Sequence, residues 1–161
     1  MTVRFWKETG FVVEHPQQVE VVSLTIPSRL ELLGILDQIA NSLSERLDFE
    51  AEQRSEISMS VIEAGTNAIQ HGHKLDPSKT VDVRFEMHAD RLLVYVRDTG
   101  PGFVPPEGMI DITSPDHLLD ERGRGIYIMR WCMDDVDFDI SSKGTTCVLT
   151  KLRKPDTNGS P

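Results

Sequence analysis

The stretch from about Glu50 to Gln70 carries the pattern that most limits the fold. Ile57, Val61, Ala64 and Ala68 recur at three- and four-residue spacing, and Met59, Ile62 and Ile69 form a second apolar stripe. That period predicts a helix, and two stripes predict a helix packed on two sides. Glu63, Asn67 and His71 fall on a line between the stripes, at i, i+4 and i+8. Polar groups on a doubly packed helix are either satisfied within the structure or face a cavity.

The rest of the chain arranges itself around this helix. Val19 to Ile26 is rich in β-branched residues and reads as a strand. Pro27-Ser28 then opens a first helix, with Leu32, Leu36, Ile39, Leu43 and Leu47 as its apolar stripe. Val81, Val83, Phe85 and Met87 alternate with polar residues, which predicts a half-buried strand, and Leu92 to Val96 predicts the next. Phe103 to Arg122 has three prolines, one glycine and little period, as expected of a lid or binding loop. Ile126 to Met133 reads as a helix opened by glycine. Val136, Phe138 and Ile140 alternate again, Lys143-Gly144 turns the chain, and Thr145 to Leu152 is a last strand. Helices inserted between strand hairpins predict a two-layer α/β sandwich: a mixed, mostly antiparallel sheet covered on one face by helices. Residues 1–18 read as an N-terminal arm, 19–152 as one domain and 153–161 as a polar tail.

Three segments carry candidate chemistry. Asn67 offers a neutral side-chain carbonyl of the kind Mg²⁺ accepts beside phosphate oxygens, and Glu63, one turn earlier, can take a proton from an attacking hydroxyl. Asp98 stands at a strand end before Gly100 and Gly102. Its carboxylate can accept from an exocyclic amino group of a base while the glycines admit a flat ring. Gly123-Arg124-Gly125 precedes a helix, where backbone amides can bind phosphate and Arg124 can add charge. Each signal alone has an ordinary structural explanation: a helix surface, a β-turn and a loose helix start. Their order and spacing together are more specific. His71 and His73 lack a third ligand for a metal site. Cys132 and Cys147 lack metal-ligand spacing and read as reduced, partly buried thiols.

Bulk properties narrow the partners. The formal net charge over 161 residues is −9, which opposes nonspecific binding to a phosphate backbone. No apolar run approaches membrane-spanning length and the N-terminus has no signal-peptide core, so a cytoplasmic location without nucleic-acid or membrane partners is expected.

With these residues in order, the chain resembles the GHKL (histidine-kinase-like) ATPase superfamily, an α/β sandwich with a mobile ATP lid. Glu63 to Gly72 looks like its N box, Asp98 to Gly102 its first glycine box and Gly123 to Gly125 its second; Gly144-Thr145-Thr146 resembles its late threonine segment. Within it, Glu-Ala-x-Thr-Asn-Ala-Ile-x-His-Gly and the later Met133-Asp134-Asp135-Val136 look most like the bacterial anti-sigma factor serine/threonine kinases. The resemblance implies ATP and Mg²⁺, with Glu63 as catalytic base and Asn67 as metal ligand. Asp98 would read adenine, Gly100 and Gly102 would admit the base, Gly123, Arg124 and Gly125 would bind phosphate, and Thr146 would complete the adenine pocket. It also implies a STAS-domain anti-anti-sigma substrate, a bound sigma factor and a homodimer. Leu30 to Leu43 contains no arginine, where family members carry one that contacts partners. A binding module that holds ATP with little or no kinase activity is the alternative.

Overall fold

The computed structural model describes residues 19–102 and 121–153. The expected N-terminal arm, nearly all of the expected lid and the tail beyond Arg153 lie outside the described residues. The elements run β1 (Glu20–Pro27), α1 (Leu33–Arg46), α2 (Ala51–Thr66), β2 (Thr80–Met87), β3 (Arg91–Asp98), α3 (Glu121–Cys132), β4 (Asp135–Ser141) and β5 (Gly144–Leu152). A 3-10 turn, Leu30–Leu32, leads into α1, and α2 continues as a π-helical segment, Asn67–Gly72.

The strands form one sheet in the order β1-β2-β3-β5-β4. The sandwich is as expected, but the sheet is not mixed: every described pairing is antiparallel. Antiparallel order follows from β2–β3 and β4–β5 being short hairpins, which demand no parallel crossover. Alternation along each strand sets the faces. Val81, Val83 and Phe85 on β2, Leu92, Val94 and Val96 on β3, and Cys147 and Leu149 on β5 are buried beneath the helices.

The central helix is α2, which packs against both α1 and α3. Ile57, Val61, Ala64 and Ala68 are buried as one stripe, as the spacing predicts. The second stripe is different: Ile69 is buried, but Met59 is 49% exposed. Its flanks are lined instead by small groups. Ser60 is fully buried and its hydroxyl donates to the Glu56 carbonyl at 2.8 Å. A Cβ on Gly65 would lie 2.6 Å from Leu33 Cδ2, so a missing side chain is what lets α1 settle onto α2. On α1 the buried line is Leu33, Leu36, Ala40 and Leu43, with Leu32, Ile39 and Leu47 packed only partly at its sides.

Lys151, near the end of β5, ties the layers together. Its ammonium donates to Glu56 Oε2 on α2 at 2.6 Å and to the Cys132 carbonyl at the end of α3 at 2.6 Å. A cation at that position satisfies a terminal carbonyl and complements the helix dipole. Arg153 continues this anchoring: its amide donates to the Asp90 carbonyl at 2.8 Å, so the first residue of the expected tail is still held. Replacing Lys151 with Met leaves both acceptors without their donor and is expected to cost about 1–3 kcal/mol, read as a lower midpoint in urea denaturation.

Candidate functional site

The site forms where four segments converge: the junction of α2 with its π-helical extension, the end of β3, the β4–β5 hairpin and the start of α3. A cleft opens there. Ala64, Ala68, Val96, Phe138 and Cys147 give it apolar walls, Asn67, Asp98 and Thr145 supply polar groups, and Gly72 and Gly102 line it without side chains. Apolar walls with a few convergent polar groups are the usual make-up of a small-molecule site.

The change of winding at Asn67 shapes this cleft. An α-helix that loosens into a π-turn gains a residue and shifts everything after it, a device common at functional sites. Gly72 is thereby set against β3. A Cβ on Gly72 would lie 2.6 and 2.8 Å from the Asp98 carboxylate oxygens, and one on Gly100 would collide with the Gly72 carbonyl. Asp98 is 7% exposed, and its Oδ1 accepts from the Gly100 amide at 2.7 Å. The Asp98 carbonyl in turn leaves no room for a Cβ on Gly144, whose φ of +134° suits glycine. Gly102, at φ +79°, turns the chain at the cleft wall.

Glu63 and Asn67 meet α3 at Gly125. A Cβ there would lie 2.7 Å from Glu63 Oε2 and 3.5 Å from Asn67 Nδ2. Burial raises the pKa of the Glu63 carboxyl from its ordinary 4.5, and the Arg124 guanidinium opposes that shift. A carboxylate so tuned is a stronger base once ionised.

Several sequence expectations need correction. Gly123-Arg124-Gly125 does not precede its helix; α3 begins at Glu121 and takes both glycines into its first two turns. Gly125 is explained by close approach to Glu63 and Asn67 rather than by a helix start. Gly100 packs on the Gly72 backbone and does not line the cleft. Thr146 lies on the opposite face of the sheet, and Thr145, aligned with Asp98, is the buried threonine in the cleft. A one-residue shift along a strand changes the face, and a pair of adjacent threonines hides which one points inward.

The sequence reading also missed the part played by His73. It is 1% exposed and tied on both ring nitrogens. Nε2 accepts from the Thr99 amide at 3.0 Å and lies 3.2 Å from the Thr99 hydroxyl; Nδ1 lies 3.1 Å from Ser28 Oγ. A backbone amide can only donate, so Nε2 is unprotonated and Nδ1–H donates to Ser28. Among the described residues no three His, Cys, Asp or Glu side chains gather as metal ligands. Cys147 is buried in the cleft wall, and burial pushes its thiol pKa up to about 12, which leaves it unreactive.

These features define a class. The family described as histidine kinase-like ATPase domain matches residues 26–151. The chain belongs to that family. Its relatives are more particular. The serine-protein kinase RsbW of Bacillus subtilis (strain 168) is 31% identical over 137 residues, covering 82% of this chain and 85% of that protein. The serine-protein kinase RsbW of Bacillus velezensis is 32% identical over 138 residues, covering 83% and 86%. A crystal structure of the RsbU and RsbW domains of Rv1364c from Mycobacterium tuberculosis superposes with a TM-score of 0.61 at 14% identity. It shares the fold over 84% of this chain, which spans 33% of that longer one.

Burial lowers the pKa of His73; the nearby Asp98 and Asp76 raise it and Lys79 lowers it, with burial the largest effect. A histidine depressed on folding stabilises the native state above its unfolded pKa of about 6.5 and loses that contribution as pH falls towards the folded value. Chemical denaturation of the wild type should therefore show stability falling on acidification below about pH 6.5, by more than in His73→Gln.

Proposed function

We propose that this chain is an ATP- and Mg²⁺-dependent serine protein kinase that phosphorylates a STAS-type anti-anti-sigma protein and holds a sigma factor. The observation that carries the reading is the seating of the Glu63 carboxylate against Gly125, beside Asn67, at the edge of a cleft whose inner end holds Asp98. The relatives named as serine-protein kinases support the same activity.

The residues fit an adenine nucleotide. Val96, Phe138, Ala64 and Ala68 offer apolar surface to a flat base, and Asp98 keeps one carboxylate oxygen beyond its bond to Gly100 for an exocyclic amino group. Asn67 offers the carbonyl oxygen that would hold the metal without adding negative charge near phosphate. Arg124 and the start of α3 supply positive potential on the phosphate side. When bound, ATP supplies the phosphoryl group and Mg²⁺ neutralises its charge. Glu63 takes the serine proton as the hydroxyl attacks, and its raised pKa makes it a better acceptor. Thr145 replaces Thr146 as the threonine at the base. Among the described residues no helix is long and apolar enough to cross a membrane. A cytoplasmic location and a homodimer complete the reading.

The test is phosphate transfer from Mg-ATP to STAS proteins encoded in the same genome. Glu63→Gln is expected to abolish transfer while nucleotide binding persists, and the wild-type rate should fall with acidification at a pH above the ordinary glutamate value of 4.5. Tight ATP binding with no transfer to any candidate would instead make the chain a binding module. Asp98→Asn is expected to weaken adenine-nucleotide affinity by about 1–3 kcal/mol in calorimetric titration. Unchanged affinity would remove Asp98 from the base contact.

A further inference from the structure

We infer that His73 is a positioning residue for the nucleotide cleft, whose neutral imidazole holds the Asp98-Thr99-Gly100 turn in its binding geometry and releases that hold when protonated. This role rests on the nucleotide reading of the site.

The geometry is a three-way tie. His73 ends the π-helical segment, where its own amide donates to the Ala68 carbonyl at 2.9 Å. Its ring reaches Ser28, just beyond β1, through Nδ1, and Thr99, just beyond β3, through Nε2. Ser28 is itself fixed, 2% exposed, with its amide donating to the Lys79 carbonyl at 2.9 Å. Thr99 directly follows Asp98, so the amide that His73 accepts lies in the turn that aims the Asp98 carboxylate into the cleft. The next amide in the same turn, Gly100, is bound by Asp98 itself. Asp98 and His73 thus divide the two successive amides of the turn between them.

Only a neutral ring can do this. A protonated imidazole carries hydrogens on both nitrogens, so Nε2–H would face the Thr99 N–H, two donors in a buried space. The charged groups around the ring are Asp98 from β3, and Asp76 and Lys79 from the connection between the π-helical segment and β2; the β1 side presents the uncharged Ser28 hydroxyl. The carboxylates and the lysine oppose one another, and burial favours the neutral ring. Protonation therefore asks the Thr99 amide to move, and with it the carboxylate one residue earlier.

The experiment is ADP affinity by calorimetry from about pH 8 down to about pH 5, in wild type, His73→Gln and His73→Phe, with each variant's melting curve checked at each pH. Glutamine places Oε1 where Nε2 stood, so it can accept from Thr99 but cannot titrate. ADP titrates too, but equally in every variant, so the difference between wild type and His73→Gln isolates the ring. His73→Gln should match wild type at the upper pH, and wild type should lose roughly tenfold more affinity than His73→Gln on acidification. His73→Phe, folded but without an acceptor, should bind weakly at both ends of the range. Imidazole nitrogen shifts by NMR should report the Nδ1–H tautomer at the upper pH. An Nε2–H tautomer, or equal losses in wild type and His73→Gln, overturns this role and leaves the nucleotide site standing. A wild-type chain that binds no ADP at the upper pH overturns the site and this role together.

Discussion

The contact between the Gly72 backbone and the Asp98–Gly100 turn is the constraint on which the site depends. A Cβ on Gly100 would strike the Gly72 backbone and one on Gly72 would strike the Asp98 carboxylate, so the two segments approach this closely with glycine at both places. This is possible only because α2 loosens at Asn67 into a π-helical turn that carries Gly72 across to the end of β3. The loosening keeps Asn67 on the cleft side while moving His73 beneath the turn. One irregularity in one helix therefore fixes the cleft wall, the aim of Asp98 and the buried histidine together.

Most of the architecture was legible because it follows from periodicity. Val81, Val83, Phe85 and Met87 alternate on β2 as they alternate in the sequence, and Ile57, Val61, Ala64 and Ala68 bury as one helical stripe. What the sequence concealed has physical reasons. The π-turn has no residue pattern of its own, so the Glu50–Gln70 period looked like one uninterrupted helix. Gly123 and Gly125 read as breakers because glycine is a poor helix former. Within α3, Gly125 is where the helix comes against the end of the Glu63 side chain. Thr145 and Thr146 differ only in the face they occupy, which is set by their alignment with Asp98 and Arg97 on β3. His73 followed a motif that drew attention to Glu63 and Asn67, and its partners, Ser28 and Thr99, are distant in sequence.

Electrostatics at the site are local rather than global. The chain is acidic overall, at −9, yet the group facing Glu63 across the start of α3 is Arg124. A carboxylate pulled up by burial and down by a nearby guanidinium is poised between two environments, as acid–base residues commonly are. The same economy appears in the cleft wall, where Cys147 contributes only apolar surface because burial suppresses its thiolate.

Lys151 bears on α3 in a further way. It holds the Cys132 carbonyl at the C-terminal end of the helix, while nearer its start the position beside Glu63 and Asn67 is Gly125. α3 is thus pinned by a side chain at its C-terminal end and presents bare backbone to the Glu63 carboxylate at Gly125, so any side chain introduced there bears directly on Glu63.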